Sequence, residues 1–190
     1  ASLDAATAGY LTALPFLLVL VSIWLKKFPL KKILWGYYIL VATLVSIIFV
    51  VDMALYTFWG FKLDASVFLY VDSPKEALAS VSTGFIALRV LIILLLIVLY
   101  ACLLLKITPS VLEASRRRWA GTAVMLLIGG VLFIMIRGGV TESTSNIGQV
   151  YFSNEPFLNH SAVNPDFSLW SSMGKSQDFA AEFNFFEEEK

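Results

Sequence analysis

Residues 33–59 read ILWGYYILVATLVSIIFVVDMALYTFW and contain one charged residue, Asp52. The run is uncharged from Ile33 through Val51, passes Asp52 and closes on the aromatic residues Tyr56, Phe58 and Trp59. A helix needs ~20 mostly apolar residues to cross ~30 Å of hydrocarbon, so this stretch reads as a membrane span. Three further stretches meet the same requirement. Residues 8–25 include Pro15, which a membrane helix tolerates. Residues 83–105 carry Arg89 near their start, and residues 119–136 end at Arg137 and the Gly138-Gly139 break.

Composition agrees with these spans. The 190 residues are 58% hydrophobic and 15% charged, with a mean hydropathy of +0.80. Soluble domains are nearer ~45–50% apolar and ~25% charged. The composition therefore argues against an ordinary soluble enzyme and excludes a disordered chain. Fourteen basic residues balance fourteen acidic ones, which removes a general nucleic-acid reading. Cys102 is the single cysteine, so neither a disulfide framework nor a thiol-rich metal site is expected. The expected fold is all-α: a polytopic membrane bundle of four spanning helices, with a short outer helix before the third span and short extracytoplasmic helices after the fourth. Residues 1–137 form the bundle, and residues 138–190 form a juxtamembrane segment.

Basic residues in short connections set the orientation of a bundle. The first connection holds Lys26, Lys27, Lys31 and Lys32; the third holds Lys106, Arg116, Arg117 and Arg118 against Glu113 alone. These two loops carry a net charge of +7 and the remainder −7. The basic loops are expected in the cytoplasm, and both ends of the sequence and the 60–82 loop outside. A span that starts outside, without a signal-peptide pattern, points either to a removed leader or to an earlier helix before Ala1, and the earlier helix is the favoured expectation.

The non-spanning segments carry local signals. Ser73-Pro74-Lys75-Glu76 is a capping-box pattern and predicts a short helix over 74–80. Residues 141–149 are rich in Ser, Thr and Asn and read as a looped exit from the membrane. Asn164 is placed to cap a helix with Pro165 at its first position and Gly174 just beyond its end. Residues 177–190 place Phe179, Phe183 and Phe186 at helical spacing among acids, an amphipathic pattern suited to docking on a protein surface or on lipid.

Few residues carry chemistry. Asp52 and Arg89 each sit inside a span, where charges are costly and imply a function or a partner. Both lie roughly 9–11 Å from the outer helix ends, so a direct Asp52–Arg89 pair is expected. It would either fix helix packing or hold a headgroup. Tyr56 lies one turn outward from Asp52 on the same face. Arg137, Asp4, Lys62, Asp64 and Glu142 form an outer rim. Arg137, beside two glycines, suits a phosphate approaching the backbone closely. His160 is the only histidine, too few ligands for a zinc site, and is expected to bond within the 159–164 turn. No nucleophile motif, Walker loop or zinc-protease motif occurs.

Several short patterns resemble a known family. Leu3-Asp4 leading to Ala8-Gly9-Tyr10 and a proline-bearing span is similar to the second membrane helix of lipoteichoic acid synthase-like phosphoglycerol and phosphoethanolamine transferases. So are Asp52, Tyr56 and the following Phe61-Lys62-Leu63-Asp64. Ser73-Pro74-Lys75-Glu76-Ala77 resembles that family's outer loop. Arg137-Gly138-Gly139 and Leu158-Asn159-His160-Ser161-Ala162-Val163-Asn164-Pro165 resemble the exit toward its enzymatic part. The resemblance implies about five membrane helices in a bacterial inner membrane, followed by an extracytoplasmic domain of the alkaline phosphatase and sulfatase superfamily. That domain would hold a divalent metal and a threonine nucleophile, and neither is assigned to a residue here. The sequence departs from the family by lacking the first helix and the catalytic domain. The expected function is to anchor such an enzyme and present its phospholipid donor, with Asp52, Tyr56, Arg89 and Arg137 at the headgroup. No cofactor, catalytic residue or metal ligand is expected within the chain itself; its partners would be phospholipid and the catalytic domain. The alternative is a small transporter-like or structural bundle.

Overall fold

The structure is a computed structural model that describes residues 2–25, 28–71, 81–108, 117–140 and 143–182. Four of its helices are long and apolar enough to cross a membrane: α1 (Ser2–Ser22), α2 (Leu30–Trp59), α4 (Thr83–Ile107) and α5 (Arg118–Arg137). Between α2 and α4 lies a short α3 (Val67–Val71). After α5 come a 3₁₀ turn (Ile147–Val150), α6 (Pro156–Ser161) and α7 (Pro165–Glu182). No strand occurs among the described residues. The expected helix over 74–80 lies outside the described residues, as do Lys26, Lys27, Glu113, Arg116, Glu142, Phe183 and Phe186.

The helices overrun their apolar stretches. α1 begins at Ser2 instead of residue 8, because the segment before the span has tertiary partners of its own. α2 begins at Leu30, so Lys31 and Lys32 occupy its first turn and not a loop. The Lys31 ammonium lies 5.4 Å from the Trp35 ring centre, a cation–π contact one turn along the helix. With 30 residues, α2 is about 45 Å long. That exceeds the thickness of the hydrocarbon layer.

The spanning helices form a row, α5–α1–α2–α4. α1 packs along α5, α2 packs along α4, and a lighter contact joins α1 to α2. Gly9 allows the first of these approaches, since a Cβ there would lie 2.8 Å from Ile136 Cγ1 and 3.3 Å from the Ile136 backbone nitrogen. Small residues at such crossings let helix backbones close together where lipid supplies no hydrophobic drive. The α1–α2 contact is held by the Tyr37 hydroxyl, which donates to the Leu11 carbonyl at 2.7 Å. At the far end of the row, Trp24 Nε1 donates to Thr122 Oγ1 and its ring meets Trp119 edge-on at 5.1 Å.

α4 has no buried residue and α5 only Leu132. Leu94, Leu95, Val98, Leu126, Leu127 and Phe133 are all more than half exposed. A soluble monomer does not expose so much apolar surface, whereas hydrocarbon covers it at no cost. The buried apolar cluster instead sits at one end of the row, where Leu3 and Ala6 of α1 meet Val163 and Phe167, with Ile147 and Val150 beside them. Residues 143–182 fold back over that end and pack on both α1 and α2.

The turn out of α5 explains how they return. Gly138 and Gly139 have φ of 91° and 130°, conformations that favour glycine. The Ser145 amide then donates to the Arg137 carbonyl at 2.8 Å. At the start of α7, Asn164 Oδ1 accepts from the Phe167 amide at 3.1 Å, the expected cap. Gly174 does not end this helix, which continues to Glu182; a helix interior accepts glycine at a cost of about 1 kcal/mol.

Candidate functional site

The polar groups of interest gather at the end of the row covered by residues 143–182. Asp52, seven residues before the end of α2, is 4% exposed. Its partner is not Arg89. The chain leaves α2 through Gly60, at φ 70°, and doubles back, bringing Lys62 Nζ onto Asp52 Oδ2 and the Leu63 amide to Asp52 Oδ1 at 2.9 Å. A carboxylate removed from water needs opposite charge and donors, and a connection ten residues on supplies both. Arg89 instead lies over the Phe85 ring, 3.7 Å from its centre, a cation–π contact within its own helix. The expected Asp52–Arg89 pair is thus replaced by Asp52–Lys62.

Tyr56 turns away from Asp52. Its hydroxyl and His160 Nδ1 are 3.1 Å apart, and its ring meets those of His160 and Phe157 edge-on. His160 therefore bonds to a spanning helix through its ring, while its backbone carbonyl accepts from Val163 within the turn. Arg137 ends α5 as expected. The space beside Gly138 is taken by Ser145, whose Oγ would lie 2.3 Å from an added Cβ, while Gly139 stays open. The close approach foreseen for a phosphate at that glycine pair is therefore half closed.

Asp4 and Asn164 join the first helix to α7. Asn164 Nδ2 donates to Asp4 Oδ1 at 2.8 Å, and Thr7 Oγ1 donates to Asn164 Oδ1 at 3.3 Å. Asp64 accepts from the Ser66 amide at 2.9 Å and starts α3, and the Ala65 amide donates to Ser172 Oγ at 2.8 Å. The connection after α2 is thereby tied to α7.

Some of these groups border a cavity of about 800 Å³. Ser2, Asp4, Asp52, Lys62, Ser161, Asn164 and Asp166 make most of its polar part; Val45, Phe49 and Met53 continue it down α2, and Tyr100 of α4 also lines it. Val45 to Asp52 spans roughly 10 Å along the helix, so the cavity extends about that far down α2 from its polar part. Tyr56, Arg89 and Arg137 do not line it.

Sequence reasoning missed Asp166. It is 4% exposed and its Oδ1 has no hydrogen-bond partner. Burial pushes its carboxyl up to about 6; hydrogen bonding to its own backbone opposes the rise, and the charge of nearby Asp52 adds to it. The available signal was its place two residues after the Asn164 cap, but acids are common in a first turn for dipole reasons alone. Among the described residues, no three His, Cys, Asp or Glu side chains converge to hold a metal ion.

Residues 3–137 match the model of a family described as a domain of unknown function, DUF3413, and the chain belongs to that family. Neither the curated proteins nor the solved structures include a match to it.

Proposed function

We propose that this DUF3413 chain is the membrane part of a lipid phospho-headgroup transferase, anchoring the enzyme and presenting its phospholipid donor at the outer face of a bacterial inner membrane. The cavity carries this reading. It is polar at one end, apolar along α2 and within the ~300–1,000 Å³ range of ligand pockets. A phospholipid has the same division, a charged headgroup above acyl chains. Holding that headgroup at the membrane surface would orient it for a nucleophile outside the bilayer. Arg89 and Arg137, near the same end of the row, would contact lipid phosphates around the mouth. The short sequence patterns around Asp52, Lys62 and Asn164 that resemble lipoteichoic acid synthase-like transferases support the same reading. A transporter-like bundle is less favoured, because the buried charged groups among the described residues cluster at one end of the row.

Chemistry on the headgroup is not expected from these residues. Phosphoryl transfer needs an activated nucleophile and charge stabilisation, usually by a metal. Native mass spectrometry of the purified chain should retain phospholipid. Val45→Trp, which fills the apolar part of the cavity, should retain less. Neither should release diacylglycerol. Equal retention by both proteins would refute lipid presentation through this cavity.

A further inference from the structure

The cavity's charge is uneven. Three carboxylates line it, those of Asp4, Asp52 and Asp166, against the single ammonium of Lys62. Asp52 is satisfied by Lys62 and the Leu63 amide, and Asp4 accepts from Asn164. Asp166 is different. Its Oδ1 is buried at the cavity wall with no donor, and the Phe167 and Ser168 amides in the first turn of α7 are already taken by Asn164. A buried acceptor without a donor costs about 1–3 kcal/mol, more when charged, so such groups are retained where something else supplies the donor.

The lining says what kind of donor. An anion would meet a net negative wall. A divalent metal would need several convergent ligands, and the described residues do not assemble them. A primary ammonium fits, with one positive charge and three N–H donors in a compact head. Ser161 Oγ already donates to the Leu158 carbonyl at 2.7 Å, which leaves its lone pairs to accept a second ammonium hydrogen.

We propose that Asp166 is the acceptor for a primary ammonium group entering this cavity, and that the lipid held there carries an aminoethyl phosphate headgroup. The second clause rests on the lipid-presenting reading above; the first does not. Asp166 would bind the ammonium, the phosphate would remain toward the mouth, and the acyl chains would follow Val45, Phe49 and Met53.

The test uses the 190-residue chain in detergent with an equimolar mixture of phosphatidylethanolamine, phosphatidylglycerol and phosphatidylcholine of matched acyl chains. Native mass spectrometry should show retention of the ethanolamine lipid about tenfold over the other two, the effect of a charge-assisted hydrogen bond. Choline matters as a comparison because its quaternary nitrogen keeps the charge and has no N–H. Asp166→Asn should remove the preference while leaving thermal stability no lower than wild type. If that variant does not fold, the three-lipid comparison on the wild type decides alone. A second arm adds free ethanolamine and follows thermal stability. Retention of all three lipids alike, or a preference that survives Asp166→Asn, overturns the ammonium site and leaves lipid presentation standing. Stabilisation by ethanolamine that depends on Asp166, with no lipid retained, keeps the ammonium site and overturns lipid presentation. Neither lipid retention nor ethanolamine stabilisation overturns both.

Discussion

Asn164 Nδ2 donates to Asp4 Oδ1 at 2.8 Å, joining the first turns of the first helix to a residue 160 positions later. The same side chain caps α7 through the Phe167 amide and accepts from Thr7. One amide thus holds both the lid over the cavity and the start of α1. Asn164→Ala removes the cap and leaves Asp4 without this donor. We expect a loss of about 2 kcal/mol, read as a lower thermal midpoint in detergent. Asn164→Asp keeps a cap acceptor but sets a second carboxylate against Asp4, and it should recover little. Full recovery by that variant would show that only the cap matters.

Asp52 and Lys62 should behave as a coupled pair, and Arg89 should not take part. Lys62→Gln leaves a buried carboxylate with only the Leu63 amide, and removing one partner of a buried pair typically costs ~3–5 kcal/mol. Lys62 retains some exposure, so the lower part of that range is expected. Arg89→Gln, which loses a cation–π contact, should cost about 1 kcal/mol or less. A double-mutant cycle of Asp52→Asn with Lys62→Gln should show coupling, and one of Asp52→Asn with Arg89→Gln should be additive. Coupling in the second cycle would restore the partnership expected from helix depth alone.

That difference shows where the sequence stops being legible. The span at 33–59 was readable because its length and hydropathy determine it locally, and Asp52 stood out because charges are rare there. Its partner was not readable. Helix depth ranked Arg89 first, while the doubling back at Gly60 is a loop conformation that depth does not encode. Asn164 was legible as a cap because Asn-Pro is a local signal. Its bonds to Asp4 and Thr7 were not, because they follow from docking two segments far apart in sequence. Gly174 was misread because glycine marks a helix end by tendency only. Asp166 was passed over because an acid in a first turn usually faces solvent, and only tertiary packing buries it.

The α1–α5 crossing should depend on the absence of a side chain at Gly9. Gly9→Ala puts a methyl 2.8 Å from Ile136 Cγ1 and 3.3 Å from a backbone nitrogen that cannot easily move. Overpacking of this kind costs about 1–3 kcal/mol. Gly36→Ala is the control, since nothing lies within 4 Å of its added Cβ and alanine favours a helix. The first variant should lower the thermal midpoint and the second should hold or raise it. Equal midpoints would mean that α1 and α5 separate freely at this point.

The +7 and −7 halves of the sequence predict sidedness that cysteine labelling can check. In a Cys102→Ser background, Glu155→Cys should react with a membrane-impermeant maleimide added outside intact cells. Arg117→Cys should react only after permeabilisation. Both positions are exposed, so access to the side chain itself does not limit either reaction. Labelling of position 117 from outside would invert the topology and put the cavity on the cytoplasmic face.

Asp166 gives the chain a pH dependence whose sign runs opposite to that of a salt-bridged carboxylate. Its carboxyl stands at about 6 against an ordinary 3.8. Below the ordinary value both folded and unfolded chains hold the proton, and the group contributes nothing to the difference. As pH rises through the interval, the unfolded chain releases the proton while the folded chain keeps it, so stability falls. The loss is complete above about 6 and corresponds to about 3 kcal/mol. Asp166→Asn carries no such charge. Its thermal midpoint should match wild type near pH 4 and exceed it increasingly toward pH 7.5, and taking the difference between the two proteins cancels the titration of every other group. A difference that stays constant across this range would mean that Asp166 is ionised throughout, with a donor already in place in the chain.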